Sequence, residues 1–152
     1  MLFRSDNPAA AADEWSGDRG VGALYFSQQA VDKLLAAAGI AVPDELDLPG
    51  RLVLVQEQMA AGADAARHIY ETIGAYLGYT LPWYAAFYEF AHVLVLGRVT
   101  SGAGGEILLA TARRILETEF PDLAATVTLH LPDEKSKRVG QAVAAASLPE
   151  IE

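Results

Sequence analysis

Four glycines crowd the stretch LVLGRVTSGAGGEI, Leu94 to Ile107, together with Arg98, Thr100 and Ser101. Residues of these types suit the binding of an anion. Glycine permits positive φ, removes the Cβ that would hold a ligand off the backbone and, at a helix start, leaves N–H groups open to a negative charge. The run before it, HVLVL from His92 to Leu96, reads as a strand, and EILLATARRILETEF from Glu106 reads as a helix. Open α/β sheets place ligands beyond the carboxyl ends of their strands, so the loop stands where a phosphate-bearing ligand is expected. A glycine-rich turn with no ligand is the competing reading.

Spacing removes the named phosphate motifs. A P-loop needs Lys-Ser/Thr after its last glycine, whereas Gly105 is followed by Glu106 and Ile107. A dinucleotide fingerprint starting at Gly102 would need a third glycine where Ile107 stands. Glu106 is awkward beside a phosphate; it faces a ribose hydroxyl or, the preferred reading, complements the helix dipole. His68, His92 and His130 have no H-x-x-x-H or H-E-x-x-H spacing, so no metal site is expected. The absence of cysteine removes thiolate ligands, thiol nucleophiles and disulfides. No G-x-S-x-G elbow surrounds Ser27, Ser101 or Ser147, and Asp44, Glu45 and Asp47 read as solvated turn charges. No residue of the chain is therefore assigned a catalytic role.

The elements that must position the loop follow from hydrophobic spacing. GDRGVGALYF, Gly17 to Phe26, reads as a glycine-punctuated loop or short strand. Ser27 offers an N-cap to a helix carrying Val31, Leu34, Leu35 and Ala38 on one face and closed by Gly39. Leu52 to Gly78 has helical spacing throughout, with Leu52, Val55, Met59, Ala63, Ala66, Tyr70, Ile73 and Leu77 in one stripe. Gly62 and Gly74 within it suggest close helix packing. A further helix is expected to begin near Pro82 and run to about Phe90, its aromatics in the core. His92 to Leu96 fits a strand covered on both faces, and Ala125 to Leu131 alternates as a second strand. A last helix is expected over EKSKRVGQAVAAAS. Strand, loop, helix, strand, helix is a βαβα order, which implies a parallel sheet and a right-handed crossover.

Composition bounds the function. A chain of 152 residues with 52% hydrophobic and 20% charged residues is expected to form one core. No apolar stretch reaches the roughly 18 residues a membrane helix requires, so a soluble protein is expected, with the cytoplasm as the default compartment. The net charge of −9 opposes nucleic-acid binding, the basic residues being dispersed apart from Lys135, Lys137 and Arg138. Residues 1–16 carry no secretory core and read as a disordered or non-native leader, as left by a truncated reading frame; residues 17–152 read as one lobe.

The segment AHVLVLGRVTSGAGGEILLATARRIL resembles the second adenosine-binding segment of the actin-like ATPase and sugar-kinase superfamily. ARHIYETIGAYLGYTL before it, and VGQAVAAASLP near the end, are similar to the helix leading into that strand and the closing helix of the ROK (repressor and sugar kinase) branch. The resemblance spans about residues 50–152. It implies an α/β fold, the C-terminal lobe of a ribonuclease-H-like, two-lobed protein, with parallel strands and packed helices. It places Gly97, Thr100, Ser101, Gly102, Gly104 and Gly105 near the adenosine and phosphates of ATP, bound with magnesium in the parent protein. The family's D-x-G-x-T phosphate turn and catalytic aspartate are missing before Gly17, so the resemblance implies a lobe inactive by itself. RGVGALYFSQQAV takes the place of the cysteine-rich zinc and sugar segment, with Tyr25 where a sugar-binding glutamate is expected. Two functions follow: the nucleotide-binding lobe of a sugar or small-molecule kinase, or the lobe of a non-enzymatic ligand sensor or transcriptional regulator. A surface made to face another lobe also implies homodimerisation or poor solubility.

Overall fold

Backbone hydrogen bonding at Ser27 and Asp47 shows how local sequence starts the helices in this computed structural model, which describes residues 10–13 and 16–132. A short turn of helix, α1 (Ala23–Phe26), ends at Ser27, whose hydroxyl accepts from Gln29 N at 3.1 Å and caps α2 (Gln28–Leu35). Asp47 caps α3 (Leu48–Ala60) in the same way, accepting from Gly50 N at 2.8 Å. Arg51 then ties α3 back to α2 through Asp32, at 2.6 Å, and to the Leu46 carbonyl at 2.9 Å.

The stripe from Leu52 to Gly78 is two helices rather than one. Gly62 stands at φ +85°, a left-handed conformation that ends α3, and α4 (Asp64–Ala85) begins two residues later. At its other end α4 passes through Pro82, where a new helix was expected. Proline there forgoes one helical N–H, but Leu77 and Leu81 are buried on the core side and Ala86 N still reaches the Pro82 carbonyl. Tertiary burial outweighs the local penalty. Phe87 and Tyr88 then lie outside the helix and exposed, not in the core.

Beyond α4 the chain forms β1 (His92–Leu94), a 3-10 turn (Arg98–Thr100), α5 (Ala103–Glu119), the short α6 (Pro121–Ala124) and β2 (Thr128–His130). β1 and β2 pair in parallel, His92 opposite Thr128 and Leu94 opposite His130. The fold is thus mixed α/β, mostly helical, with a two-stranded parallel sheet among the described residues. Among the described residues only one face of this sheet is covered. Val127 and Leu129 are buried and Val93 and Val95 half-buried, while His92, Leu94, Leu96, Thr128 and His130 are exposed. The helix expected over EKSKRVGQAVAAAS lies outside the described residues.

The core sits mainly between α4 and α5. Gly104 of α5 faces Tyr70, Gly74 faces Leu108 and Thr111, and Gly78 faces Ala112 and Ile115, so residue numbers rise together and the two helices run parallel. Ile69, Tyr70, Ile73, Leu108, Leu109, Ala112 and Leu116 fill this seam. Spacing of i, i+4 puts both α4 glycines on the contact line, where absence of a side chain lets the backbones approach. Near the start of the described chain Ala12 bridges Arg19, and Arg19 Nη1 donates to the Ala10 carbonyl at 2.8 Å. Among the described residues no helix is long and apolar enough to cross a membrane.

Candidate functional site

The loop between β1 and α5 leaves the sheet at its carboxyl end, as the sequence implies. Val95 N donates to His130 O at 2.9 Å, the last ladder bond, and the chain then turns at Gly97. Gly97 has φ +117° and ψ 167°, a region open essentially to glycine alone. Its carbonyl accepts from Thr100 N at 3.1 Å and from Thr100 Oγ1 at 2.7 Å, which closes the 3-10 turn and turns the Thr100 hydroxyl inward. Gly102, at φ +65° and ψ −157°, opens α5 without a side-chain cap. The first N–H groups of a helix have no intrahelical acceptor, so α5 begins with uncapped donors and the positive end of its dipole.

The six loop residues divide into two groups. A Cβ added to Gly97 or Gly102 would meet nothing within 4 Å, and both residues are exposed, with Ser101 half-buried between them. Thr100, Gly104 and Gly105 are buried. Gly104 is glycine because its Cβ would stand 2.3 Å from the Tyr70 ring, and Gly105 because its Cβ would stand 2.3 Å from the Thr100 carbonyl oxygen. The second pair fits α5 against its neighbours; the first pair leaves backbone open to solvent.

A cleft of about 360 Å³ lies beside Gly97, lined by Phe26, Ser27, Gln28, Gln29, Leu48, Leu96, Gly97, Arg98 and Val99. Gly97 is the one residue of the six that lines it. Arg98, noted in the sequence as an anion-binding type but not among the six residues implied by the resemblance, lines the cleft, and so does the first turn of α2, which the sequence did not nominate. Arg98 is exposed, and its carbonyl accepts from Gln56 Nε2 at 3.3 Å. On the opposite wall Gln28 Oε1 is buried, with no hydrogen-bond partner among the described residues. An acceptor in that state is an unmet demand for a donor.

Tyr70 supports the loop from behind. Its ring packs on Gly104 and is fully buried, and its hydroxyl has no partner in hydrogen-bond geometry among the described residues. Burial pushes the hydroxyl up to about 12, an effect offset in part by the Gln56 amide, which approaches without reaching hydrogen-bond geometry. A second, more open cleft of about 710 Å³ runs between α4 and α5 and takes in Glu106, Arg67, His68, Glu71, Thr111 and Arg114. There His68 Nδ1 lies 2.7 Å from Glu71 and Arg67 Nε donates to Glu71 at 2.9 Å. These hydrogen bonds, His68 first and Arg67 second, hold the Glu71 carboxyl below its ordinary range. Glu106, in the first turn of α5, lines this polar groove and not the cleft at Gly97.

Tyr25 packs edge-on to Tyr76 with centroids 5.5 Å apart, and Lys33 Nζ lies 4.2 Å from its ring centroid. Among the described residues no group of three or more histidine, aspartate or glutamate side chains stands together to hold a metal ion. No family model matches the chain, and no curated protein or solved structure matches it either.

Proposed function

We propose that this chain is an adenine-nucleotide-binding lobe of ribonuclease-H-like type, belonging to a ROK-like sugar or small-molecule kinase. One observation carries the reading. Gly97 offers side-chain-free backbone to the cleft beside the Arg98 cation, just past the carboxyl end of β1, and a few residues on Gly102 leaves the uncapped start of α5 open. Such an arrangement stabilises phosphate by preorganised N–H groups and one mobile positive charge. A turn of the Gln28 side chain into the cleft would bring its orphaned Oε1 to the exocyclic amine of adenine, a donor where guanine carries a carbonyl. The cleft residues thus fit the organic and anionic parts of ATP. Magnesium would come with the phosphates, supplying charge neutralisation in the complete protein.

Titration of the chain with ATP and GTP by calorimetry tests this. ATP is expected to bind more tightly than GTP, Arg98→Glu to abolish binding, and Gln28→Leu to reduce the difference between the bases. Gly102→Val should block backbone approach, while Gly104→Val is unsuitable because it drives a side chain into Tyr70. Equal affinity of the parent chain and Arg98→Glu refutes the assignment. The alternative, a ligand-sensing or transcriptional-regulator lobe without phosphoryl transfer, is favoured by one feature: Tyr25, in contact with Tyr76 and Lys33, replaces a hydrogen-bonding carboxylate with an aromatic surface. Nucleotide-dependent change in oligomeric state, read by light scattering, would support it.

A further inference from the structure

The parallel pair of strands sets two imidazoles side by side. With Leu94 opposite His130, His92 and His130 are diagonal neighbours on the open face of the sheet, and both are exposed. His92 Nδ1 lies 3.0 Å from His130 Nε2, with ring centroids 5.1 Å apart and the planes inclined at 47°. Both rings stand on well-tied backbone, since Thr128 N donates to Ala91 O at 2.8 Å and Val95 N to His130 O at 2.9 Å. The two residues are set side by side by the paired strands rather than by a loop. Between two neutral rings such an approach is a single N–H···N hydrogen bond. Between two lone pairs it is the bite of a chelate.

Bite distance discriminates among metals. Imidazole nitrogens about 2.1 Å from a metal stand about 3.0 Å apart across a right angle and about 3.4 Å across a tetrahedral one. The separation in the sheet, that of an N–H···N hydrogen bond, also equals the right-angle bite of a square-planar or octahedral ion, so both nitrogens reach one such ion with little movement. Among divalent ions that favour imidazole, copper and nickel take such geometries, and copper binds more tightly in the general order of affinities.

We propose that His92 and His130 form a two-imidazole site for divalent copper or nickel on the open sheet face. Water or a donor from a partner completes the coordination. Binding moves the proton shared between the rings: His92 keeps its proton on Nε2 and His130 on Nδ1, so that His92 Nδ1 and His130 Nε2 present lone pairs. With two protein ligands the site is an exposed, exchangeable chelate, unlike the closed four-ligand sites that build folds. It is separate from the loop and cleft of the nucleotide reading, and either can hold without the other. Helical spacing rules overlook it because the ligands lie on two strands, 38 positions apart.

The test uses the full chain, free of any affinity tag, titrated with copper(II) chloride and nickel(II) chloride. Calorimetry is expected to show one tight copper per chain, and electron paramagnetic resonance to show two coordinated nitrogens. His92→Ala and His130→Ala should each weaken copper affinity by about tenfold or more, since losing a ligand costs at least as much as losing one of its supporting contacts. Each variant should also remove one nitrogen from the spectrum. His68→Ala should change neither readout. Circular dichroism verifies that these exposed substitutions leave the fold intact. Parent-level affinity in His92→Ala or His130→Ala, or loss of the tight copper in His68→Ala, overturns the proposal, as does a parent chain that binds copper no more tightly than the His92→Ala/His130→Ala double variant.

Discussion

Replacing Gly74 by alanine should destabilise the protein even though alanine is the better helix former. A Cβ at this position would stand 2.4 Å from the Leu108 carbonyl oxygen, 2.8 Å from Thr111 Cβ and 3.1 Å from the Leu108 carbonyl carbon. The obstruction is backbone of α5, already committed to its own helix, so it has no rotamer by which to yield. Relief requires α4 and α5 to separate by on the order of 1 Å, which loosens contacts among Ile73, Leu77, Leu108 and Ala112, all buried. Helix propensity returns about 1 kcal/mol, whereas overpacking costs about 1–3 kcal/mol and should lie at the upper end against a carbonyl. The expected net loss is about 1–2 kcal/mol. Gly78 is the internal control: its added Cβ would meet Ile115 at 3.0 and 3.1 Å and the Ala112 carbonyl oxygen at 3.2 Å, a misfit of tenths of an ångström. Gly78→Ala should therefore fall within about 1 kcal/mol of the parent. Urea unfolding followed by circular dichroism measures both. A Gly74→Ala protein as stable as the parent, or less damaged than Gly78→Ala, refutes the close helix packing described above.

Tyr70→Phe removes a buried hydroxyl that has no partner and should leave stability unchanged or raise it by about 1 kcal/mol; a comparable loss in urea unfolding would show that the hydroxyl is bonded after all. The same residue gives an alkaline signature. Its hydroxyl titrates near 12 when folded against 10.0 ordinarily, so the folded chain keeps a proton that the unfolded chain releases. Its contribution is complete below pH 10.0 and disappears as pH rises to about 12, and the decline in unfolding midpoint over that window should be shallower in Tyr70→Phe. Arg51→Ala should cost more than Asp32→Asn in thermal unfolding, because Arg51 also donates to the Leu46 carbonyl; equal costs would reduce its role to the ion pair alone.

The sequence carried the order of elements more faithfully than their ends. Ser27 announced α2 because a cap is a local event, and the apolar run at His92 announced β1 because the ladder needs a stretch of extended backbone. Gly62 and Pro82 misled in opposite directions: a glycine that could have continued a helix breaks one, and a proline that could have started a helix sits within one. At Gly62 the backbone takes a left-handed turn, and at Pro82 the burial of Leu77 and Leu81 carries the helix through; neither outcome is contained in the local pattern. The glycine stretch was legible as a loop, but not which of its glycines served packing. Gly104 and Gly97 are the same residue type, and only the Tyr70 ring opposite one and the empty space beside the other distinguish them. Arg98, Gln28 and the pairing of His92 with His130 depend on segments brought together by the fold, so composition and spacing had no means of assembling them.

α4 outlasts its partner. Tyr79 already meets Glu119 and Phe120 at the end of α5, so the final turn of α4 projects past it and carries Trp83 into water, 67% exposed. An indole in that position emits at long wavelength and is open to iodide, with Phe87 and Tyr88, also exposed, close by in sequence. Any molecule settling on that end would shift the emission to the blue and shield it from the quencher. With Trp15 replaced by phenylalanine, the chain carries its own optical gauge for whatever covers its aromatic tip.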